Sequence, residues 1–207
     1  ALELDPDSAL VHISFSKALI DQGRWSEVMQ HCERALQLKP DYALAHIDLS
    51  EALINQGKLD EAVQHGERGL QLKPDKRDAA LAHNNLGYAL SRQGKWNEAM
   101  QQYERALQLD PDSALAHINL GNALSVQGRW NEAVPHYERT LQLKPDDADA
   151  HNNIARALVG QGKSEKALPH FQQALNLATA QNKTALAESI RTRLKAYESA
   201  SPQPQTP

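Results

Sequence analysis

A unit of 34 residues recurs along the chain, and no other feature of the sequence limits the fold as strongly. Its marker is a glycine that returns at intervals of 34, 37, 34 and 34 residues: Gly23, Gly57, Gly94, Gly128 and Gly162. A proline step recurs in the same phase, after Lys39, Lys73, Asp110 and Lys144. Self-similarity at this period predicts a solenoid of stacked units instead of a domain built round one core.

Each unit is predicted to contain two helices joined at the recurring glycine. In the third unit, apolar or small residues follow at helical spacing before that glycine: His83, Leu86, Gly87 and Leu90. Gly94 is a natural left-handed end for this helix. A second apolar set follows it: Ala99, Tyr103, Ala106 and Leu107. The second helix is expected to end near Pro111, because proline and the residue before it disfavour helix.

These residues resemble the tetratricopeptide repeat motif, in which small and large residues alternate in a set order. The third unit matches that order at six places: Leu86, Gly87, Ala99, Tyr103, Ala106 and Pro111. His83 stands where the motif has Trp, and Leu90 where it has Tyr. The resemblance implies an all-α fold, a right-handed superhelical solenoid of antiparallel helix pairs with a C-terminal capping helix.

Five in-phase units cover almost the whole chain, and we number them repeats 1 to 5: 9–42, 43–76, 80–113, 114–147 and 148–181. Residues 1–8 match the tail of a second helix, so we expect the chain to begin inside a truncated preceding repeat. Residues 182–198 leave the phase and are predicted to form one amphipathic capping helix. Residues 199–207 are predicted to be a disordered tail.

Two irregularities meet near residues 60–80. Three extra residues interrupt the phase before Ala80, which predicts that the next helix begins about one turn early. Gly66 and Gly69 replace larger residues in the preceding helix, and each glycine costs about 1 kcal/mol against alanine there. Either this junction is the softest joint of the array, or neighbouring side chains fill the gap.

The residues that could bind a metal or act in catalysis all occupy fixed positions of the repeat. The nine histidines occupy only two repeat positions: His12, His46, His83, His117 and His151 in the fourth place, and His31, His65, His136 and His170 in the twenty-third. One copy per repeat should separate them along the stack, whereas a zinc site needs three or four converging ligands. Cys32 takes the place of a packed aromatic residue. We therefore predict no metal, no cofactor and no catalytic residue.

Composition restricts the partners. The net charge of −4 and the absence of a basic stripe argue against nucleic acid. The recurring Trp25, Trp96 and Trp130 are interpreted as wedges in the inter-helix turn. No run of eighteen apolar residues is present, so membrane insertion is not expected. The single cysteine favours a reducing, cytoplasmic compartment.

The resemblance implies a concave groove lined by the first helix of each repeat, which would bind a protein or peptide. In this chain the implied positions are rich in Leu, Ile and Asn, and nine of them form the predicted peptide-binding site: Leu81, Asn85, Tyr88, Arg92, Leu115, Asn119, Asn122, Asn153 and Arg156. An asparagine amide carries a donor and an acceptor, so a ladder of them suits an extended main chain. A clamp for a terminal carboxylate lacks its basic partners, since Ile118 stands where Lys is expected.

We interpret the chain as a protein–protein interaction scaffold without enzymatic activity. Two alternatives stay open. It is a substrate-docking arm of a larger enzyme, such as a glycosyltransferase, or it is a self-assembling scaffold. Self-association would be end to end, through the truncated N-terminal face near Ile13, Phe15 and Leu19.

Overall fold

The computed structural model describes residues 8–200, and the side chains of residues 8–196. Of the stub predicted over 1–8, only Ser8 belongs to this part. Residues 201–207 of the predicted tail lie outside the described residues, as does the side chain of Tyr197 in the predicted capping helix.

The described residues form eleven α-helices and no strand. Their bounds are α1 Ala9–Ile20, α2 Trp25–Leu38, α3 Ala43–Asn55, α4 Leu59–Gln71, α5 Lys76–Arg92, α6 Trp96–Leu109, α7 Ala114–Val126, α8 Trp130–Leu143, α9 Ala148–Gly160, α10 Ser164–Ala180 and α11 Thr184–Ala200. The fold is an all-α solenoid of helix pairs, which confirms the predicted fold class. The chain divides between Ala116 and His117 into two compact units, here called the N-terminal and C-terminal units.

The turn inside each repeat is built as the recurring glycine predicts. Gly94, for example, has a φ of 79°, and its N–H donates to the carbonyl of Ser91 at 3.0 Å. Lys95 then donates to the carbonyl of Leu90. A positive φ is strained for any residue with a Cβ, and the other four marker glycines also have φ between 68° and 77°.

Helix α5 has four more residues than α3, 17 against 13. It begins at Lys76, and its N-cap Asp75 accepts a hydrogen bond from the backbone N–H of Asp78 at 2.9 Å. This capping bond satisfies one of the donors left over at a helix start. The early start that the three inserted residues predicted is therefore present.

The core of the N-terminal unit is a continuous layer between first and second helices. Val28, Cys32 and Ala35 of α2 are fully buried against Ala45 and Leu49 of α3. Alanine at so many core positions lets the helices approach closely.

In the C-terminal unit, Phe171 and Ala174 of α10 pack with Ile190 of α11. Leu186 and Leu194 cover the same cluster from α11, while Glu188, Arg191 and Lys195 are exposed. Helix α11 therefore buries one face on α10 and presents a polar face outward.

The gap expected at Gly66 and Gly69 is filled. A Cβ built on Gly69 would lie 2.8 Å from Cγ1 of Ile47, and one on Gly66 would lie 3.3 Å from Oγ of Ser50. Leu86 also approaches Gly66, at 3.7 Å from the same position. The structure therefore favours a packed junction over a void at these two glycines.

Candidate functional site

The first helices of the N-terminal unit line a groove of about 640 Å³. Apolar side chains from three of these helices lie along it: Leu44, Leu81 and Leu115. Acidic residues surround them: Asp21, Asp48, Glu51, Asp75, Asp78 and Asp110. Only Lys17 and Arg77 oppose these six carboxyl groups, so the groove is strongly acidic.

Three of the carboxyl groups are desolvated. Burial raises the pKa of Asp48 to about 6, although Ser16 donates a hydrogen bond to Oδ2 at 2.6 Å and Lys17 opposes the shift. The Asp48 side chain is only 2% exposed. Burial also raises the pKa of Glu51, which Asn85 partly offsets, and that of Asp78, where Asp75 adds repulsion. A cationic group entering the groove would relieve this cost.

The C-terminal unit has its own groove, of about 500 Å³, and its charge is opposite. The lining includes two cations and no acidic residue: Arg156 of α9 and Arg193 of α11. Val126 and Val159 supply apolar surface, and Trp130 lies at one side. A Cβ on Gly160 would lie 2.6 Å from the Trp130 ring, so this glycine is required for the close approach of the indole to α9.

A chain of hydrogen bonds orients the asparagines of this groove. Tyr137 donates from its hydroxyl to Oδ1 of Asn122 at 3.0 Å, so the Oγ of Ser125, 2.9 Å away, is the donor to Tyr137. Nδ2 of Asn153 also donates to Oδ1 of Asn122, at 2.9 Å. Both lone pairs of that oxygen are thus used inside the protein, which fixes the orientation of the exposed Asn122 amide.

The nine predicted site residues fall into different environments. Leu81 and Leu115 line the N-terminal groove, where Leu115 is 51% exposed. Asn122, Asn153 and Arg156 line the C-terminal groove.

The other four predicted site residues do not form a regular ladder of exposed side chains. Asn85 is only 5% exposed and lies beside Glu51, so it differs from the exposed rung that its repeat position suggested. Asn119 is half-buried on α7. Tyr88 is 40% exposed, and the guanidinium of Arg92 lies 6.0 Å from its ring centroid.

The histidines were expected to be separated along the stack, but in four of the five repeats the two histidine positions of one repeat lie together. The fourth and twenty-third places lie on the two helices of one pair and face each other, which brings two Nδ1 atoms together in four repeats. The separations are 2.9 Å for His12–His31, 2.9 Å for His46–His65, 3.0 Å for His117–His136 and 3.3 Å for His151–His170. We call these four the histidine pairs. In repeat 3, His83 instead contacts Oε1 of Gln102 at 2.8 Å.

Burial lowers the pKa of most of the paired rings. It is the largest cause of a lowered pKa in six of the eight paired residues: His31, His46, His65, His136, His151 and His170. A neutral ring is what a short contact between two Nδ1 atoms requires, because one nitrogen must accept. Within the described side chains, no three or more His, Cys, Asp or Glu residues converge as metal ligands.

Several other residues named from the sequence have structural roles. Cys32 is buried, and burial raises the pKa of its thiol to about 12, so it is a packed thiol and not a nucleophile. Of the apolar residues considered for end-to-end association, Ile13 and Leu19 are buried in the N-terminal unit. Only Phe15 is exposed, at 42%, and its ring stacks on His31. Self-association stays a prediction.

Across the part of the chain that the structure describes, every helix is too short or too polar to span a membrane.

Helix pairs joined at left-handed glycines, with grooves on their first helices, define a helical-repeat protein. Family models described as tetratricopeptide repeat match residues 19–86 and 112–180, and a TPR repeat model matches 89–128. The chain belongs to the tetratricopeptide repeat family.

Solved structures with the same fold cover most of the chain. MamA AMB-1 is 27% identical, with a TM-score of 0.67, over 82% of this chain and 96% of that one. MamA 41-end from Desulfovibrio magneticus RS-1 is 19% identical, with a TM-score of 0.69, over 84% and 96%. YrrB, described as a TPR protein with an unusual peptide-binding site, is 21% identical, with a TM-score of 0.65, over 91% and 94%. A comparison with curated proteins gives no match.

Proposed function

We propose that this protein is an interaction scaffold that binds an extended segment of a partner protein along the first helices of its repeats. The observation that carries the proposal is the oriented amide pair of Asn122 and Asn153 in the C-terminal groove. Its polar atoms lie beside apolar surface from Val126 and Val159.

The amide pair suits a peptide backbone. Nδ2 of Asn122 is left to donate to a ligand carbonyl. Oδ1 of Asn153 accepts a long hydrogen bond from Nδ2 of Asn152, at 3.5 Å, and its second lone pair would accept from a ligand N–H. A residue in an extended chain presents its own N–H and C=O on the same edge, so one donor and one acceptor side by side recognise main chain with little regard to sequence.

The N-terminal groove would add selectivity. Leu81 and Leu115 offer apolar contact, and the surrounding carboxyl groups favour basic side chains. We expect segments that bind this unit to place Lys or Arg beside a bulky apolar residue, because like charges would be rejected. The similarity in fold to YrrB supports a peptide as the ligand class.

The proposal is tested by selecting peptides from a random display library on the intact protein and measuring affinity by calorimetry. The double variant Asn122→Ala, Asn153→Ala should weaken binding of peptides that occupy the C-terminal groove by about thirtyfold, since each polar contact contributes about 1 kcal/mol. The control is Asn176→Ala, which removes an exposed asparagine amide that contacts Gln172 on α10. Affinity in the double variant within twofold of the control would reject the amide pair as the binding site.

A further inference from the structure

We propose that the histidine pairs are binding sites for a divalent late transition-metal ion, held by the two Nδ1 atoms of each pair. The ion class is the one that prefers imidazole, and Zn²⁺ is the probe for which the geometry can be judged.

The spacing of the nitrogens carries the proposal. Imidazole nitrogens bind zinc at about 2.0–2.1 Å, so two ligands on one ion lie about 3.3 Å apart at a tetrahedral angle and about 2.9 Å apart at a right angle. The four Nδ1–Nδ1 separations run from 2.9 to 3.3 Å, inside this interval. Each pair thus already holds its two ring nitrogens at the separation that one ion requires, with one hydrogen to be displaced.

The surroundings orient one ring for this role. Nε2 of His46 lies 3.3 Å from the carbonyl oxygen of Pro40, to which it donates its hydrogen. The Nδ1 of His46 therefore presents a lone pair toward His65. A backbone carbonyl that accepts from the outer nitrogen is the usual support of a metal-bound histidine. His151 has the corresponding contact with Pro145.

Metal binding needs no net loss of protons from a neutral pair. In the metal-free state one hydrogen lies between the two Nδ1 atoms, on His65 in the pair with His46. When the ion binds, that hydrogen leaves Nδ1 and a hydrogen is taken up at Nε2 of the same ring through solvent. Both rings are half-buried, so water and a hydrated ion reach them.

The site is open, because each pair supplies two ligands and water must fill most of the remaining positions. Glu61 precedes His65 by one helical turn on α4, and its charge acts on that ring. Glu61 does not converge with His46 and His65 into a set of three ligands, so its effect on a bound ion would be electrostatic. Such sites exchange their ion, unlike structural zinc sites with four protein ligands.

Repeat 3 supplies the control. His83 contacts an amide oxygen of Gln102 at the place where the other repeats have a second histidine. A neutral amide oxygen is a poor zinc ligand beside imidazole, so repeat 3 should bind no zinc. Glutamine is also shown to fit this position with a hydrogen bond, which makes His→Gln a conservative substitution.

The experiment is calorimetric titration of the full chain with Zn²⁺ alone, together with ¹⁵N NMR of the histidine rings. We expect four zinc ions per chain in the wild type, one for each histidine pair. His65→Gln should remove one site and His83→Gln none, while Gln102→His should add one. The Nδ1 resonances of paired rings should shift on titration, and those of His83 should not.

The proposal is overturned if His65→Gln and Gln102→His both bind the same number of zinc ions as the wild type. It is equally overturned if zinc binds but no paired Nδ1 resonance shifts, because the ion is then adventitious. Far-UV circular dichroism checks the fold of each variant, and the gain of a site in Gln102→His does not depend on a destabilised protein.

Discussion

Repeats 1 and 2 differ from repeat 3 in how their two helices meet, although all three belong to the N-terminal unit. In repeat 3 the glycine Gly87 faces a ring: a Cβ there would lie 2.7 Å from Tyr103. In repeat 2 the facing residues are Ser50 and Gly66, and in repeat 1 they are Ser16 and Cys32. Repeat 4, in the C-terminal unit, has the same arrangement as repeat 3, with Gly121 against Tyr137 at 2.6 Å. Repeat 5 differs, since Ala155 and Phe171 hold these two positions in one buried cluster.

In repeats 1 to 4 this slot between the two helices is filled in two ways. Either a glycine admits an aromatic ring, or a serine hydroxyl stands opposite a small residue. Both serine hydroxyls are hydrogen-bonded, since Ser50 donates to the carbonyl of Ala62 at 2.8 Å and Ser16 donates to Asp48. Because interiors are close-packed, the two members of a slot must change together.

The largest expected effect is at the glycine that faces a ring. Gly87→Ala would place Cβ 2.7 Å from the Tyr103 ring and 3.1 Å from the backbone oxygen of Ala99, which cannot move without distorting α6. We expect the free energy of unfolding to fall by about 3 kcal/mol, measured by urea denaturation.

A matched variant sharpens this result. Gly87→Ala combined with Tyr103→Cys removes the ring that the new Cβ would meet, so the double variant should lose less stability than the two single changes added together. Strict additivity would contradict a shared slot.

The second prediction concerns the buried acid that the hydroxyl of Ser16 supports. The pKa of Asp48 is about 6 in the folded protein, above its ordinary value of 3.8. A raised folded pKa means that the stabilising contribution is complete below pH 3.8 and is lost as pH rises through 6. Asp48→Asn should therefore stabilise the protein by about 2 kcal/mol at pH 7.

The difference in stability between Asp48→Asn and the wild type should depend on pH. The advantage of Asp48→Asn should shrink between pH 6 and pH 4 and vanish below that, because the wild-type carboxyl is then protonated in both states. Denaturation curves at several pH values, with a chelator present, measure it. A gain that stays constant with pH would mean that charge burial is not its cause.

The smallest change in the free energy of unfolding is expected at Gly66, which faces Ser50 in repeat 2. Gly66→Ala gains about 1 kcal/mol of helix propensity, and its Cβ would press only on the Oγ of Ser50 at 3.3 Å. The two effects should nearly cancel.

Gly69→Ala on the same helix is the control for Gly66→Ala. It meets Ile47 at 2.8 Å and should destabilise in the same denaturation assay. Equal losses at the two glycines would contradict the distinction between them.

The fold could be predicted from the sequence because the glycine turns and proline steps recur in one phase. Local context explains the departures. Gly66 read alone suggests a void, since the residue that fills the slot stands 16 positions earlier, at Ser50. The histidine pairs were visible as a constant spacing of 19 residues between the two places, as from His46 to His65, but only the packing of the helix pair shows that this spacing means contact.

The groove was less predictable than the core. Asn85 and Asn153 hold the same repeat position, yet one is buried beside Glu51 and the other lies half-buried in a groove. The repeat position fixes the helix face, whereas the size and charge of neighbours in adjacent first helices decide exposure. The opposite charges of the two grooves also needed the structure, because their residues come from several repeats and, at Arg193, from outside them.

Both members of a histidine pair belong to one repeat, and this has a consequence for how such a chain evolves. Duplication of one 34-residue segment therefore copies both histidines of the pair together. A single substitution at one of the two positions, such as glutamine in place of histidine, would remove one pair and leave the others unchanged, and repeat 3 has glutamine at this place. The number of pairs can therefore rise or fall independently of the fold that presents them.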